Sequence, residues 1–393
     1  MNYTYYSDDI ESKEQLKYSA SLNRFVEEPQ LGVKLLDRAI IVPSVGVYHN
    51  GGICPESFWG GVVDKDLRFD ESSNEFLEDN SEVYYLGTFH HCWGHEITDG
   101  MRLLWGLLPE LGGVPLSDNV KYVYSLCGDG YALPENFMML LEALGVDLDR
   151  LVRVDTPTRF KKVYLADESY WYDIASETKR TFGETFRQLY EILCSKVVAE
   201  RKEPTRTVYL SRSGWQKGNP DYGEATIERT FVEKMKCEVF RPENLSFIEM
   251  VELLQETKTL IATEGSISHN ALFLQPGTRL IILRKAGFIS YYQLMINQLK
   301  ELDVTYIDAH RTHHFTDPAC PYYGPFFLVL NKSLAEFLGV KPRFPFMEYV
   351  SYRGEVFRRR VRRIVFPVLA KTKRRLTSLI QKNRRVADSV ADC

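Results

Sequence analysis

The sequence predicts an α/β protein built from parallel β/α units, and three observations support this. Segments typical of buried strands alternate along most of the chain with segments typical of amphipathic helices. The 393 residues are about two to three times the length of an average domain, which favours two globular units. Apolar residues make up 44% of the composition, which is enough to build substantial cores.

The first half is predicted to begin with alternating strands and helices and to end in a long helix. Strands are predicted over 82–87, 120–125 and 161–167, and helices over 96–108, 134–145 and 177–200. Pro134 and Gly145 stand where a helix ordinarily begins and ends. The charged segment ERKEPTR, residues 200–206, contains a proline and is the predicted linker.

The second half shows a more regular alternation. Strands are predicted over 207–212, 237–242, 259–265, 278–283 and 304–308, with helices over 224–236, 245–258 and 289–301. The helix over 245–258 opens with a capping box from Ser246 to Glu249. Five β/α units within about a hundred residues predict a Rossmann-like domain.

Composition excludes several classes of protein. The N-terminus is acidic and polar, unlike a secretory signal, and no apolar run approaches the roughly 18 residues needed to span a bilayer. The chain is therefore expected to act in the cytoplasm. Its seven cysteines form no CxxC pair, which argues against both a disulfide framework and a zinc ribbon.

The C-terminus carries a charge opposite to that of the rest of the chain. Residues 353–393 contain thirteen Arg or Lys against three acids, so a tail of +10 follows a body of −14. Apolar residues recur there at three-and-four spacing, from Phe357 and Val361 to Ile380, with Pro367 dividing two helical pieces. This pattern favours an anionic membrane surface over nucleic acid. A helix that packs on another domain or on a second copy is the third alternative.

The stretch HHCWGHEITD, residues 90–99, allows three kinds of chemistry. His90, Cys92, His95 and Glu96 could ligate zinc, but their spacing fits none of the usual zinc signatures. Cys92 could act as a nucleophile with His95 as its base, although its aromatic neighbours favour burial. His95 and Asp99, four residues apart on one helix face, could form a proton-accepting pair. The alternative is structural, with His95 capping a helix and Asp99 pairing with Arg102.

Two segments of the second half follow predicted strands, where a parallel sheet binds its ligands. YLSRSGWQKGN offers hydroxyls and cations suited to phosphate, namely Ser211, Arg212, Ser213 and Lys217. IATEGSISHN offers Gly265 for close backbone approach, together with Ser266, Ser268, His269 and Asn270. Neither segment contains a P-loop or a GxGxxG motif, which disfavours a nucleoside triphosphatase or an NAD enzyme.

Together, these motifs resemble those of glycosyltransferase family 61, in particular members of bacterial capsular and surface polysaccharide type. The resemblance rests on YLSR at 209–212, on EGSISHNALFLQPGTRLIIL at 264–283, and on Gly94, His95, Asp99 and Trp105 in the first half. The matching positions lie across most of the segment 84–283. Many family members have His-Gly-Ala-Gly where this chain has Glu264, Gly265, Ser266 and Ile267.

The resemblance implies a GT-B architecture, in which two Rossmann-like domains face a cleft, here followed by a basic amphipathic helical tail. Residues 1–200 would form the acceptor-side domain, 205–315 the nucleotide-sugar domain, 316–352 a crossover segment and 353–393 the membrane-associating tail. It also implies an inverting transfer that needs no metal cofactor. The Asp-x-Asp sequences at 64–66 and 147–149 lie in hydrophilic or post-helix segments, and we interpret them as surface turns rather than magnesium sites.

The implied donor is a nucleotide-diphosphate sugar, expected to be UDP-linked, and the implied acceptor is a glycan or lipid-linked glycan in surface polysaccharide assembly. The protein would act at the inner face of the cell membrane, either alone or as a homo-oligomer. The other hypothesis is a catalytically silent sugar-nucleotide-binding subunit that acts as a scaffold.

The predicted site residues follow from this resemblance. His95 and Asp99 would activate the acceptor. Either could be the base, and His95 is favoured, with Asp99 as its partner, because an imidazole beside a carboxylate suits proton transfer at neutral pH. His91, Trp93 and His310 would line the cleft, while His313 and His314 near His310 suit either the cleft or a solvated loop. The donor side and the tail involve larger sets. The donor would be held by Ser211, Arg212, Lys217, Glu264, Gly265, Ser266, His269 and Asn270. The membrane would be contacted by Arg358, Arg359, Arg360, Arg362 and Arg363.

Overall fold

We describe the protein from a computed structural model. The structure describes residues 3–7, 14, 17, 24–25, 30–58, 69–128, 131–173, 179–215, 221–287, 290–310 and 324–363.

Strands and helices alternate along the described residues. In chain order the strands are β1 Tyr3–Tyr6, β2 Arg24–Phe25, β3 Val33–Asp37, β4 Ile40–Val42, β5 Gly46–His49, β6 Gly52–Ile53, β7 Leu77–Phe89, β8 Lys121–Leu126, β9 Leu151–Arg153, β10 Thr158–Ala166, β11 Tyr170–Asp173, β12 Lys179–Phe182, β13 Arg206–Leu210, β14 Asp221–Tyr222, β15 Glu238–Phe240, β16 Thr257–Thr263, β17 Arg279–Arg284, β18 Asp303–Asp308 and β19 Phe326–Phe327. The α-helices are α1 Trp93–Glu96, α2 Glu135–Ala143, α3 Glu184–Val197, α4 Glu224–Met235, α5 Phe247–Gln255, α6 Ser266–His269, α7 Tyr291–Leu299, α8 Lys332–Leu338 and α9, residues 346–363. Short 3-10 helices lie at Pro55–Ser57, Asp99–Met101, Leu104–Leu107, Pro109–Leu111, Leu148–Arg150, Pro242–Asn244 and Asn270–Phe273.

The second half is organised around a parallel sheet, with the strand order β1-β18-β17-β16-β13-β15. Its central strands β16 and β17 are buried along almost their whole length, as expected for strands covered on both faces. β13 connects through α4 to β15 on one side, and the chain then crosses to β16 on the other. The topological switch point therefore lies between β13 and β16.

The first half is organised around a mixed sheet, with the order β6-β5-β4-β10-β7-β8-β9 and with β3 also paired to β10. Strands β10, β7, β8 and β9 run parallel to one another, whereas β3, β4, β5 and β6 add antiparallel pairs at the other side. Two smaller sheets complete the described strands, with the orders β11-β12-β2 and β14-β19. The predicted α/β class is thus confirmed, with parallel and mixed sheets.

One continuous apolar cluster extends through both halves. Helices α2 and α3 of the first half pack against α5 of the second. Asn136 fastens this contact: its amide nitrogen donates to the Leu245 carbonyl at 3.0 Å, and its amide oxygen accepts from the Phe247 amide at 3.0 Å. The two sheets are therefore joined by a shared core rather than by the linker alone.

Several predicted elements agree with the structure and others do not. The capping box of Ser246 and Glu249 is present at the start of α5 and is confirmed. The helix predicted over 96–108 is wrong, because the chain forms α1 and then two short 3-10 helices. Gly100 and Gly106 lie within these two 3-10 helices, and glycine is a poor α-helix former. The helix predicted over 177–200 begins only at Glu184, since β12 precedes it.

The N-terminus adds a strand that was not predicted from the sequence. β1 pairs in parallel with β18, with Tyr3 opposite Val304, so this strand lies in the sheet of the second half. The domain boundary near residues 200–205 stays a prediction. β1 belongs to the first half by sequence, but it lies in the sheet of the second half. Within the described residues, no helix is both long enough and apolar enough to cross a bilayer.

Candidate functional site

The site is built at the carboxyl ends of parallel strands from both halves. β7 ends at Phe89, and the segment 90–99 follows it at once. In the parallel sheet, Ser211 and Arg212 follow β13, while Glu264 and Gly265 follow β16. These last two strands flank the switch point, where open α/β sheets bind their ligands.

His95 and Asp99 form the predicted pair. The Nδ1 atom of His95 lies 2.8 Å from Oδ2 of Asp99, whose side chain is 1% exposed, whereas the imidazole is 32% exposed. An ionised carboxylate can only accept a hydrogen bond, so a neutral His95 carries its proton on Nδ1. Its Nε2 atom is then left as a proton acceptor. The interaction spans the end of α1 and the first residue of the next 3-10 helix.

Tyr292, at the start of α7, completes this arrangement from the second half. Its hydroxyl donates to Oδ2 of Asp99 at 2.7 Å, and its ring meets the imidazole of His95 edge-on at 5.5 Å. The same ring lies 5.9 Å from that of His269. A residue separated from Asp99 by 193 positions therefore holds the carboxylate that orients His95.

The two halves are in direct contact beside this pair. Sγ of Cys92 lies 3.3 Å from Oγ of Ser266, and the Trp93 indole nitrogen donates to Oδ1 of Asn270 at 2.8 Å. Gly94 permits the approach, because a Cβ atom there would lie 2.7 Å from Oγ of Ser266. The segments that the sequence assigns to acceptor activation and to donor binding are thus neighbours in space.

Replacing Gly94 by alanine tests this contact. The added methyl group would also lie 2.8 Å from Nδ1 of His269, so α1 and α6 must move apart. Overpacking of this kind costs about 1–3 kcal/mol, and we expect kcat/KM for sugar transfer to fall by about five- to a hundredfold. Gly52→Ala is the control, since no atom lies within 4 Å of the position that its methyl group would take. Equal activity in the two variants would contradict the importance of the contact.

Cations cluster around Asp221, beside the residues that the sequence predicts to bind the donor. Nζ of Lys285 lies 3.2 Å from Oδ2 of Asp221, and Nε of Arg212 lies 3.7 Å from the same oxygen. The Arg212 side chain is 23% exposed, whereas Lys285 is 8% exposed and lies over the ring of Phe326. Both cations therefore border the switch point, and Arg212 is the more accessible to an incoming anion.

Two buried carboxyl groups adjoin these cations. Glu224 accepts from the Arg212 amide at 3.0 Å, and burial together with the nearby Asp221 raises the pKa of its carboxyl group well above the usual range. Glu264 accepts from the Ser290 amide at 3.0 Å, and burial raises its pKa to about 7 despite the cations of Arg284 and Lys285. At neutral pH these two groups therefore hold protons for much of the time, which leaves the surroundings more positive.

The remaining donor-side residues are engaged within the protein. Ser211 is buried, and its hydroxyl donates to Oε2 of Glu228 at 2.5 Å. Gly265 adopts φ +121°, a conformation that side chains rarely allow. His269 lies 3.4 Å from the Ser290 hydroxyl and is 7% exposed. Lys217 lies outside the described residues.

The other histidines of the first half stand beside the pair. His91 is exposed and stacks on His90 at 4.3 Å, while His90 lies 5.1 Å from the ring of His95. Burial and the neighbouring histidines lower the pKa of His90 to about 4, so it is neutral at physiological pH. Across the part of the chain that the structure describes, no three His, Cys, Asp or Glu side chains are grouped as metal ligands would be.

His310 follows β18, which lies two strands from β16 in the parallel sheet of the second half. Its Nε2 atom is 3.8 Å from Oδ1 of Asp308, and the residue bridges to Leu328. His313 and His314 fall outside the described residues, as does the Asp-x-Asp sequence at 64–66. The sequence at 147–149 forms a surface turn, in which the Asp147 carboxylate accepts from the Asp149 amide at 3.0 Å.

Glu96 is a buried acid next to the pair. It is 1% exposed, and neither carboxylate oxygen has a hydrogen-bond partner among the described residues. Burial alone raises its pKa to about 8. Glu96 is therefore protonated at neutral pH, and its negative charge develops only in more alkaline solution.

This burial predicts a pH-dependent stability. Between pH 4.5 and about 8 the folded protein keeps a proton on Glu96 that the unfolded chain releases, so the free energy of unfolding falls as pH rises. Each unit of pKa difference corresponds to about 1.4 kcal/mol. We expect Glu96→Gln to flatten this decline in urea titrations between pH 5 and 8.5. The control Glu110→Gln, at an exposed position, should leave the decline unchanged. An equally steep decline in both variants would contradict the assignment.

Part of the chain that carries these residues is similar to a known protein family. Residues 93–281 match the family model described as Glycosyltransferase 61. This segment of the chain is therefore similar to the glycosyltransferase family 61 domain. No curated protein matches the chain.

The family 61 domain includes the pair His95 and Asp99, together with Ser211, Arg212 and the loop that starts at Glu264. Lys285, Tyr292 and His310 lie beyond its matched residues. Asp221, Lys285 and Tyr292 were not predicted from the sequence. Lys285 lies two residues after the end of the predicted strand 278–283, and a cation just after a strand could have been recognised as a candidate site residue. No signal in the sequence singles out Tyr292.

The hydroxyl of Tyr292 offers a selective test inside this arrangement. Tyr292→Phe removes one hydrogen bond to the Asp99 carboxylate, and bonds to charged groups contribute about 1.5–3 kcal/mol. We expect kcat to fall about tenfold or more, while the donor KM changes less, because the ring contacts persist. Tyr291→Phe is the matched control at the preceding, similarly half-buried position. Equal kcat values for the two variants would show that Tyr292 does not support the pair.

Proposed function

We propose that the protein is an inverting glycosyltransferase that transfers a sugar from a nucleotide-diphosphate donor to a hydroxyl group of an acceptor, without a metal cofactor. The family 61 domain implies the binding of a sugar donor and an acceptor. The observation that carries the proposal is the contact of Cys92 and Trp93, which precede the His95–Asp99 pair, with Ser266 and Asn270 in the segment after β16. This contact brings the candidate base close to the residues proposed to bind the donor.

In the proposed reaction, Nε2 of His95 accepts the proton of the acceptor hydroxyl. The hydroxyl oxygen forms a bond to the anomeric carbon as the bond from that carbon to the diphosphate oxygen breaks. A direct displacement inverts the anomeric configuration and needs no covalent intermediate. Asp99 stabilises the imidazolium that forms, through the 2.8 Å contact to Nδ1. The assignment of His95 rather than Asp99 as base is supported by burial, since the carboxylate is covered whereas the imidazole is partly exposed.

The diphosphate would leave at the switch point. Arg212 and Lys285 supply positive charge there, and protonation of Glu224 and Glu264 limits the opposing negative charge. Electrostatic stabilisation by fixed cations is a common way to stabilise a departing phosphate. The sequence-based donor set adds Lys217, Ser211, Gly265, Ser266, His269 and Asn270, and a UDP-linked sugar is the proposed donor.

A GT-B arrangement is part of the same proposal. The two sheets support it, because carboxyl-terminal ends of parallel strands from both halves border the candidate site. The acceptor would lie on the side of the first half, near His91 and Trp93, with His310 at the edge of the second. A glycan or lipid-linked glycan of bacterial surface polysaccharide is the proposed acceptor, handled at the inner face of the cell membrane.

The test is a panel of nucleotide-diphosphate sugars incubated with the full chain. We expect one nucleotide to bind and its sugar to be transferred or slowly hydrolysed, with release of the nucleoside diphosphate. Nuclear magnetic resonance of the product should show the anomeric configuration opposite to that of the donor. Arg212→Met should weaken nucleotide binding. Tight nucleotide binding without hydrolysis or transfer would favour the silent binding subunit, and retention of configuration would refute a direct displacement.

A further inference from the structure

Helix α9, residues 346–363, has one face anchored firmly to the protein. The ring of Tyr352 stacks on that of Phe327 at 5.5 Å and meets that of Tyr222 at 5.9 Å. The Glu348 carboxylate accepts from the Gly223 amide at 2.6 Å, and Arg359 donates to the Gly324 carbonyl at 3.0 Å. The helix is thus fixed in its rotation about its own axis.

The opposite face presents a stripe of exposed apolar side chains. Their exposed fractions lie between 39% for Val361 and 74% for Met347, values unusual for residues of this type. With 3.6 residues per turn, the members of the stripe fall within an arc of about 100°. The apolar stripe consists of Phe346, Met347, Val350, Phe357 and Val361.

Arginines border the apolar stripe on both sides. At 100° per residue, Arg353 and Arg360 lie along one edge, and Arg358 and Arg362 along the other. All four residues are exposed. Their long side chains can extend away from the stripe, with the guanidinium groups at the level of lipid headgroups and the stems on apolar surface.

We propose that the apolar stripe of α9 docks on an anionic membrane surface. A helix with an apolar face between two cationic edges lies parallel to such a surface, with its apolar residues among the acyl chains. A second copy of the chain fits less well, because a two-fold contact would bring the arginine rows of both copies together. Nucleic acid would pair with the arginines but would leave Met347, Val350 and Val361 in water. The proposed membrane contact thus has a defined surface, which begins before residue 353. Docking of this surface does not depend on sugar transfer.

The experiment is flotation of the full-length protein with vesicles of phosphatidylcholine containing or lacking about a third phosphatidylserine. We expect binding to the anionic vesicles only. In the variant Phe346→Ser/Val350→Ser/Phe357→Ser the partition coefficient should fall by about tenfold or more, because three apolar side chains no longer enter the membrane. The control Leu35→Ser/Leu77→Ser/Ile248→Ser replaces three similarly exposed residues elsewhere and should bind within about twofold of the parent.

Further measurements separate the alternatives. Circular dichroism and nucleotide binding should match the parent in both variants, so that a failure of the proposed sugar transfer is distinguishable from a failure of docking. Arg358→Glu/Arg362→Glu should also weaken binding to anionic vesicles. Parental flotation of the stripe variant would overturn the proposal, even if residues 364–393 bind the vesicles. A dimer in light scattering that the stripe variant converts to a monomer would overturn it in favour of self-association.

Discussion

Replacement of His95 by alanine is expected to lower kcat for sugar transfer by about 10²–10⁴-fold, the usual contribution of a general base. Its imidazole is partly exposed, whereas the Asp99 carboxylate is buried, and its Nδ1 atom lies 2.8 Å from Oδ2 of Asp99. No other described residue combines these two properties beside the loop after β16. Donor affinity should change little, because the cations Arg212 and Lys285 lie on the other half of the protein.

His49→Ala is the matched control for this experiment, since His49 is a similarly half-buried histidine at the end of β5, outside the candidate site. Initial rates should be measured with the donor at saturation, and donor affinity by calorimetry. An almost unchanged kcat in His95→Ala, together with a large loss in Asp99→Asn, would identify Asp99 as the base. Unchanged rates in both variants would remove the pair from the mechanism.

Replacement of Arg284 by methionine is expected to destabilise the protein by about 3–5 kcal/mol. Arg284 is 1% exposed at the end of β17, and its Nη1 atom lies 2.9 Å from Oδ1 of Asp308 at the end of β18. Removal of the cation leaves the Asp308 carboxylate buried without its main counter-charge. Urea denaturation of the variant at pH 7 measures the loss.

The second substitution Asp308→Asn should recover a large part of this loss, because a neutral amide is far cheaper to bury than an unpaired carboxylate. Arg206→Met is the control on the same sheet. Its ion pair with Glu238 is partly exposed at 2.6 Å, and such pairs contribute about 0–1 kcal/mol. Equal losses in Arg284→Met and Arg206→Met would show that burial of the first pair carries no special cost.

The second half of the fold could be predicted because its local signals agree with one another. Ser246 and Glu249 mark the start of a helix, and the run LIIL within β17 is continuously apolar, as a strand covered on both faces requires. The first half was harder to predict. A Cβ atom at Gly100 would lie too close to Phe89, and one at Gly106 would lie too close to the Tyr84 hydroxyl. Packing rather than helix periodicity therefore determines the conformation of this segment.

The candidate site divides in the same way. His95 and Asp99 were accessible to prediction because four residues of spacing suffice to bring their side chains together. Tyr292 was not, since its contact with Asp99 depends on how the two halves pack. Asp221 begins a two-residue strand whose pairing with Phe326 has no local signature. A contact between residues that are far apart in the chain leaves no signal in a short stretch of sequence.

The position of β1 has a consequence for the biosynthesis of the protein. Tyr3 pairs with Val304, so β1 leaves the ribosome about 300 residues before its partner strand is made. Closure of the parallel sheet is thus a late event, and loop closure over that distance slows it. Until then the edge of β18 is a free template for another strand, and Tyr306 lacks the two tyrosine rings that pack on it in the finished protein.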